Sequence, residues 1–472
     1  MKIQYTLVAI LFSVSNLVAG GLTDWSTGKT FRFDFFHSGS AGIEKISQDE
    51  IRLEGNWAAS ETILIDNFDL GLYKAELREK ETGKLLFSAG FSSIFGEWQT
   101  TGEASSGLWK TFHESVRFPE PRFDCKLIIS KRNPNASFIQ LAEFDIQPNS
   151  RFINRSTIPK MGTVIDWLVS GEPNKKVDIV ILGDGYMADQ LTKFKSDVDR
   201  LAGYLFSVEP YKSRKADFNV RLILAPSDQE GISNPRKEEW TNNLLGFRFN
   251  AFDSDRYVLS FENKTIRNLA AQVPYDAVIV VCNSKKYGGG GIYNLYASVT
   301  SDTEPSTYVF THEFGHSFAS LGDEYYTSDV AYELPNQQKY EPQEPNITAL
   351  LDKSALKWKE FVNQETPLPT PWKKAEFEQI SVDIQKRRTE LTANRAADST
   401  MNKLFREDKQ KTEAHLKAER YYGQTGAFEG AGYESHGLYR PELDCIMFSR
   451  NPDHFCKVCT KAINSAINRY TR

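Results

Sequence analysis

The segment Thr311-His312-Glu313-Phe314-Gly315-His316-Ser317-Phe318-Ala319-Ser320-Leu321-Gly322-Asp323-Glu324-Tyr325 gathers residue types that can hold a cation and move a proton. On a helix, residues four apart share a face, so His312 and His316 can present two imidazoles to one ion. Glu313, beside the first histidine, can then reach a metal-bound water and accept its proton. A catalytic zinc takes three protein ligands and keeps one position for water, so a third donor is required. At about 1.5 Å of rise per residue, a continuing helix would carry position 323 about 10 Å beyond His316. The chain must therefore leave the helix and fold back. Gly322 is expected to permit this, because glycine tolerates the left-handed conformation that ends helices. Asp323 is the expected third ligand, with Glu324 as its rival and a glutamate from 413–434 as a more distant alternative. Zinc suits this donor set, and one catalytic Zn2+ is the expected cofactor. The chemistry such a site supports is metal-assisted amide hydrolysis, with Glu313 passing the water's proton to the leaving amine.

The elements around this segment suggest how it is positioned. Across 472 residues the chain carries 57 basic and 62 acidic side chains, a net charge of -5, and no nucleic-acid surface is expected. Residues 1–20 have the order of a signal peptide: Lys2, an apolar run from Tyr5 to Phe12, then small residues from Ala19. No later run reaches the length of a membrane helix, so the mature protein is expected to be soluble and either secreted or periplasmic. Residues 21–150 read as an all-β sandwich, with alternation at Phe31, Phe33 and Phe35 and turns at Thr82-Gly83 and in NPNAS. His37 and His113 are expected to be ordinary structural histidines. A linker over 151–174 precedes a catalytic domain over 175–472 in which strands and helices alternate as in an α/β sheet. Within it, 340–420 reads as a charged helical excursion. Five cysteines leave at least one thiol unpaired, and Cys456-x-x-Cys459 could hold a structural zinc with only Cys445 and His454 nearby to complete it.

The order of strand, helix, two further strands, a Gly-rich edge strand and a His-Glu-x-x-His helix that turns at glycine resembles the metzincin clan of zincins. Cys445-Ile446-Met447-Phe448-Ser449 matches that clan's methionine turn, with Met447 as its methionine. Within the clan, HEFGHSFASLGDEY and GAGYESHGLYRPELDCIMFS resemble the IgA-peptidase family of metallopeptidases, over about residues 165–472, and the β-rich N-terminal part resembles that family's accessory domain. The resemblance implies an α/β metzincin-like zincin fold, and a secreted zinc endopeptidase acting on extracellular polypeptides. Immunoglobulin cleavage is implied for one member, and a host or dietary glycoprotein is equally compatible. One departure stands out. The clan places glycine seven residues and the third ligand ten residues after the first histidine, where this chain has Ala319 and Gly322, with Asp323 one position later.

Further residues complete the expected site. An edge strand over Asn294 to Thr300 would bind extended peptide by strand addition, with Gly288 to Gly291, Gly290 and Gly291 among them, admitting its backbone. Tyr433, Tyr439 and Arg440 could stabilise an oxyanion. Two other classes compete with the peptidase: a zinc-stabilised binding protein without turnover, and a glycan-binding protein led by the sandwich.

Overall fold

Phe31, Phe33 and Phe35 all point into the core from one strand, Ser26–Ser40, as their alternation predicts. In the computed structural model, which describes residues 21–326, 340–394, 396 and 398–471, this strand pairs antiparallel with Ile43–Asn56 and Lys110–Pro121. The expected signal peptide lies outside the described residues. A short strand, Ile153–Asn154, completes this sheet. A second antiparallel sheet orders Leu85–Phe91, Tyr73–Glu79, Cys125–Arg132 and Phe138–Ile146. Phe33 and Phe35 from the first sheet and Leu77, Leu127 and Ile129 from the second share one buried core, so the two sheets form a sandwich.

The second part of the chain is built on a six-stranded sheet. Its order is Gly289–Ile292, Tyr296–Thr300, Ala277–Cys282, Val177–Asp184, Phe218–Leu224 and Thr163–Leu168. The four central strands are parallel and both outer strands run antiparallel. Val177–Asp184 is buried at every residue, as a central strand covered on both faces must be. Two expectations are corrected here. Thr163–Leu168, inside the stretch read as a linker, is an edge strand of this sheet. The opposite edge is Gly289–Ile292, whereas Tyr296–Thr300 lies one strand inward.

Helices Leu191–Leu205, Ser306–Ala319 and Lys457–Thr471 cover one face, through Phe194, Leu201, Phe314, Phe318 and Ile463. The other face packs on helix Asn263–Ala270 and also on Ile94, Phe95, Trp98 and Phe112 of the N-terminal part. The sandwich therefore shares a hydrophobic core with the sheet. Arg117 reinforces the junction, lying 3.6 Å over the Tyr275 ring and donating to the Tyr275 carbonyl at 2.8 Å. In the 340–420 stretch, helices Lys374–Ala393 and Asp398–Lys417 pack as a pair joined by Arg387–Glu407 at 2.6 Å. No helix among the described residues is long and apolar enough to cross a membrane.

Candidate metal centre

Helix Ser306–Ala319 lies against the glycine edge strand, and that contact needs the missing side chains. A Cβ on Gly291 would stand 2.4 Å from the Glu313 carbonyl oxygen and 2.9 Å from His316 Cβ. One on Gly289 would meet Val309 at 2.7 Å. The helix ends at Ala319 because Ser320, not Gly322, takes the left-handed conformation, at φ 52°. Leu321 N–H then bonds back to the Gly315 carbonyl at 3.3 Å, satisfying part of the helix end. Gly322 serves a different purpose, since a Cβ there would meet Ile347 at 2.5 Å and Glu344 at 2.9 Å. Asn346 pins this return loop by accepting from Gly322 N–H at 2.8 Å and donating to the Gly322 carbonyl at 2.9 Å.

The loop brings Asp323 back to the two histidines. Its Oδ1 lies 3.0 Å from His312 Nε2 and 3.2 Å from His316 Nε2, and the two Nε2 atoms are 3.1 Å apart. The opposite nitrogens are committed. His312 Nδ1 meets the Ile446 carbonyl at 3.0 Å, and His316 Nδ1 meets the Leu321 carbonyl at 2.5 Å. With each Nδ1 donating its proton, three lone pairs converge on one point, which is repulsive unless a proton or a metal cation sits among them. Donors about 2.0–2.1 Å from a tetrahedral zinc lie about 3.3 Å apart, so the triad fits that ion. The electrostatics agree: burial pulls the His316 imidazole down, but Asp323 outweighs it and pushes the ring up to about 9. Burial would raise Asp323, yet the histidines hold it well below the usual carboxylate range.

Glu313 follows His312 on the helix and faces an open cleft of about 1400 Å³. Arg256 and Tyr257 line this cleft from the catalytic part, Lys131 and Arg132 from the sandwich, and Arg388 from the helical pair. Burial raises the Glu313 carboxyl above its usual value, against the pull of both histidines. Met447 lies beneath the helix, its sulfur 3.0 Å from where a Cβ of Gly315 would stand. Its carbonyl accepts from Glu324 N–H at 2.9 Å, and Phe448 N–H closes a turn on the Cys445 carbonyl at 2.8 Å.

Other expected residues divide. Tyr433 reaches the cluster: its hydroxyl donates to Asp323 Oδ2 and lies 3.3 Å from the Tyr325 hydroxyl. It stands at a hairpin tip whose Gly432 and Tyr433 amides bond the Asp323 and Tyr325 carbonyls at 2.8 and 3.1 Å. Tyr439 does not reach it, because its strand pairs through the backbone with Thr348 outside the cleft. Arg440 is buried elsewhere, 3.9 Å over the Phe448 ring and donating to the Gly430 carbonyl at 2.7 Å. Gly290 faces Tyr257 rather than the helix. Asn294 occupies a left-handed turn and donates to the Gly90 carbonyl of the sandwich at 2.6 Å. At the glycine edge, Gly289 is already bonded to the Arg256 carbonyl and the Val258 amide, both at 3.1 Å. Glu324, the rival ligand, turns away toward Cys459, at 3.2 Å. Arg256, set beside Tyr325 at 5.8 Å, and Asn346 are site residues that no local pattern announces.

A His-His-Asp donor set at the floor of an open cleft, with a carboxylate next to the first histidine, has the form of a metallohydrolase centre. Residues 165–467 match the family described as IgA Peptidase M64, and residues 22–142 match Peptidase M64 N-terminus. The chain belongs to the IgA Peptidase M64 family, a family of metallopeptidases. No curated protein matches it.

Proposed function

We propose that this chain is an exported zinc-dependent endopeptidase in which His312, His316 and Asp323 hold the ion and Glu313 is the general base. The observation that carries this reading is the convergence of His312 Nε2, His316 Nε2 and Asp323 Oδ1 to within 3.2 Å of one another, beside Glu313 and open to the cleft. When bound, zinc supplies a Lewis acid and an acidified water. The Glu313 carboxylate takes the water's proton and returns it to the leaving nitrogen, a role its raised affinity for protons suits. Tyr433, whose hydroxyl donates to the Asp323 carboxylate, would turn that hydroxyl to the oxygen on which charge develops. Gly291 is the position at which an extended peptide would meet the sheet edge, since Gly289 is already paired. Met447 beneath the helix supports a metzincin-like arrangement.

The substrate is an extended polypeptide of an extracellular protein or glycoprotein. The cleft supports this by its size and by the part the sandwich takes in its wall through Lys131 and Arg132. The test compares the mature protein with Glu313→Ala for zinc content and for cleavage of an unfolded protein mixture. Equal zinc with cleavage only by the parent is expected. A parent that takes up no zinc would overturn the reading.

A further inference from the structure

A second constellation lies directly behind the first and plays no part in the proposed hydrolysis. Cys445 stands on the methionine-bearing turn, Cys456 just before helix Lys457–Thr471, and Cys459 in its first turn. All three are buried free thiols, and all gather around the carboxylate of Glu324, which is buried as well. Their three sulfurs and one Glu324 oxygen lie within 4.8 Å of one another. Glu324 Oε1 is 3.2 Å from Cys459 Sγ and 3.9 Å from Cys456 Sγ. Donors about 2.3 Å from a tetrahedral ion lie about 3.8 Å apart, so little movement separates this group from a closed coordination shell.

Two further observations point to a ligand. Backbone amides are aimed at the sulfurs: Cys456 N–H at 3.2 Å and Met447 N–H at 3.5 Å on Cys445 Sγ, and Cys459 N–H at 3.4 Å on Cys456 Sγ. Amides arranged in this way stabilise thiolates. Glu324 Oε2, fully buried, meets no hydrogen-bond partner among the described residues, although Asn346 bonds the other oxygen at 3.0 Å. A buried carboxylate oxygen left without a donor is costly unless a cation takes that place.

We propose that Cys445, Cys456, Cys459 and Glu324 form a structural site for a thiophilic divalent ion, zinc by its donor chemistry, distinct from the catalytic centre. Three thiolates select zinc over hard cations, and a fourth protein donor closes the shell with no position left for water. His454, which the sequence offered as a fourth donor, is exposed beside Asp453, and Glu324 takes that role. The ion would bind the return loop after Asp323 to the turn whose Ile446 carbonyl orients His312.

The test uses the full mature chain, purified under reducing conditions and reconstituted with cobalt(II), with no activity readout. Two ions per chain and a thiolate-to-cobalt charge-transfer band in the near ultraviolet are expected. His312→Ala/His316→Ala should lose one ion and keep the band. Cys456→Ser/Cys459→Ser should lose the other ion together with the band. Alkylation of the unfolded, chelated parent without reductant should modify all five cysteines, which holds the proposal to account even where the Ser variant fails to fold. Absence of the band from the parent, its survival in the Ser variant, or a disulfide among the three cysteines would overturn the site. The band's survival in the His variant separates this outcome from failure of the peptidase reading.

Discussion

Asp323 and Glu324 are neighbours in the chain whose carboxylates serve opposite sides of one loop. Asp323 Oδ1 lies 3.0 Å from His312 Nε2, and Glu324 Oε1 lies 3.2 Å from Cys459 Sγ. One peptide unit thus joins the cluster facing the cleft to the cluster facing the core, and the loop can move at neither residue without disturbing both.

Glu313→Gln keeps the shape of the side chain and removes the proposed base. Cleavage should fall roughly a hundredfold to ten-thousandfold, the usual contribution of a positioned base. Zinc content and thermal stability should match the parent. Retention of most activity would remove Glu313 from the mechanism.

Tyr433→Phe deletes the hydroxyl that meets Asp323 Oδ2 and leaves the hairpin tip intact, because that tip is held by the Gly432 and Tyr433 amides. If the hydroxyl serves the transition state, kcat should drop roughly a hundredfold with KM little changed. A rise in KM alone would instead make Tyr433 a contact for bound substrate.

Gly291→Ala places a methyl group against the Glu313 carbonyl and His316 Cβ. Overpacking at such a contact costs about 1–3 kcal/mol. Because the strain falls on the histidine-bearing helix, zinc affinity should weaken as well. Gly290→Ala presses instead on the Tyr257 ring. Chelator competition and thermal melts on both variants should therefore show weakened zinc binding only for Gly291→Ala.

His37 gives the sandwich a pH dependence of its own. Burial lowers the affinity of its ring for protons, but Glu114 and Glu44, each at 3.0 Å, outweigh burial and raise it. A histidine raised in the folded state contributes stability fully present below its unfolded value of about 6.5. That contribution is lost as pH rises through the higher folded value. The gap in melting temperature between parent and His37→Gln should therefore be widest in mild acid and narrow in alkali. A gap independent of pH would show that packing on Phe95, rather than charge, is what His37 supplies.

What could be read in the chain beforehand follows from the range over which each signal acts. His312, Glu313 and His316 declare themselves because a helix turns short spacing directly into proximity. That Asp323 folds back was also legible, but its cause was not: Ser320 rather than Gly322 makes the left-handed turn, and nothing local sets one against the other. A glycine-rich edge strand was expected, but it was set at Asn294 to Thr300 instead of Gly289–Ile292, because residues without side chains show no alternation to mark its bounds. Thr163–Leu168 escaped notice because, as a short edge strand with no fully buried residue, it alternates only weakly, through Ile165 and Trp167. Glu324's choice of partners depends on cysteines supplied by the end of the chain, and Arg256 reaches the site from an irregular loop. Such contacts are decided only when distant segments meet.

His312 is oriented by the carbonyl of Ile446, a residue made long after it. A chain lacking that turn would keep the His312 side chain but lose the carbonyl that fixes its ring. The first histidine is thus set by the docking of a distant turn beneath its helix, and the helix alone does not complete the cluster.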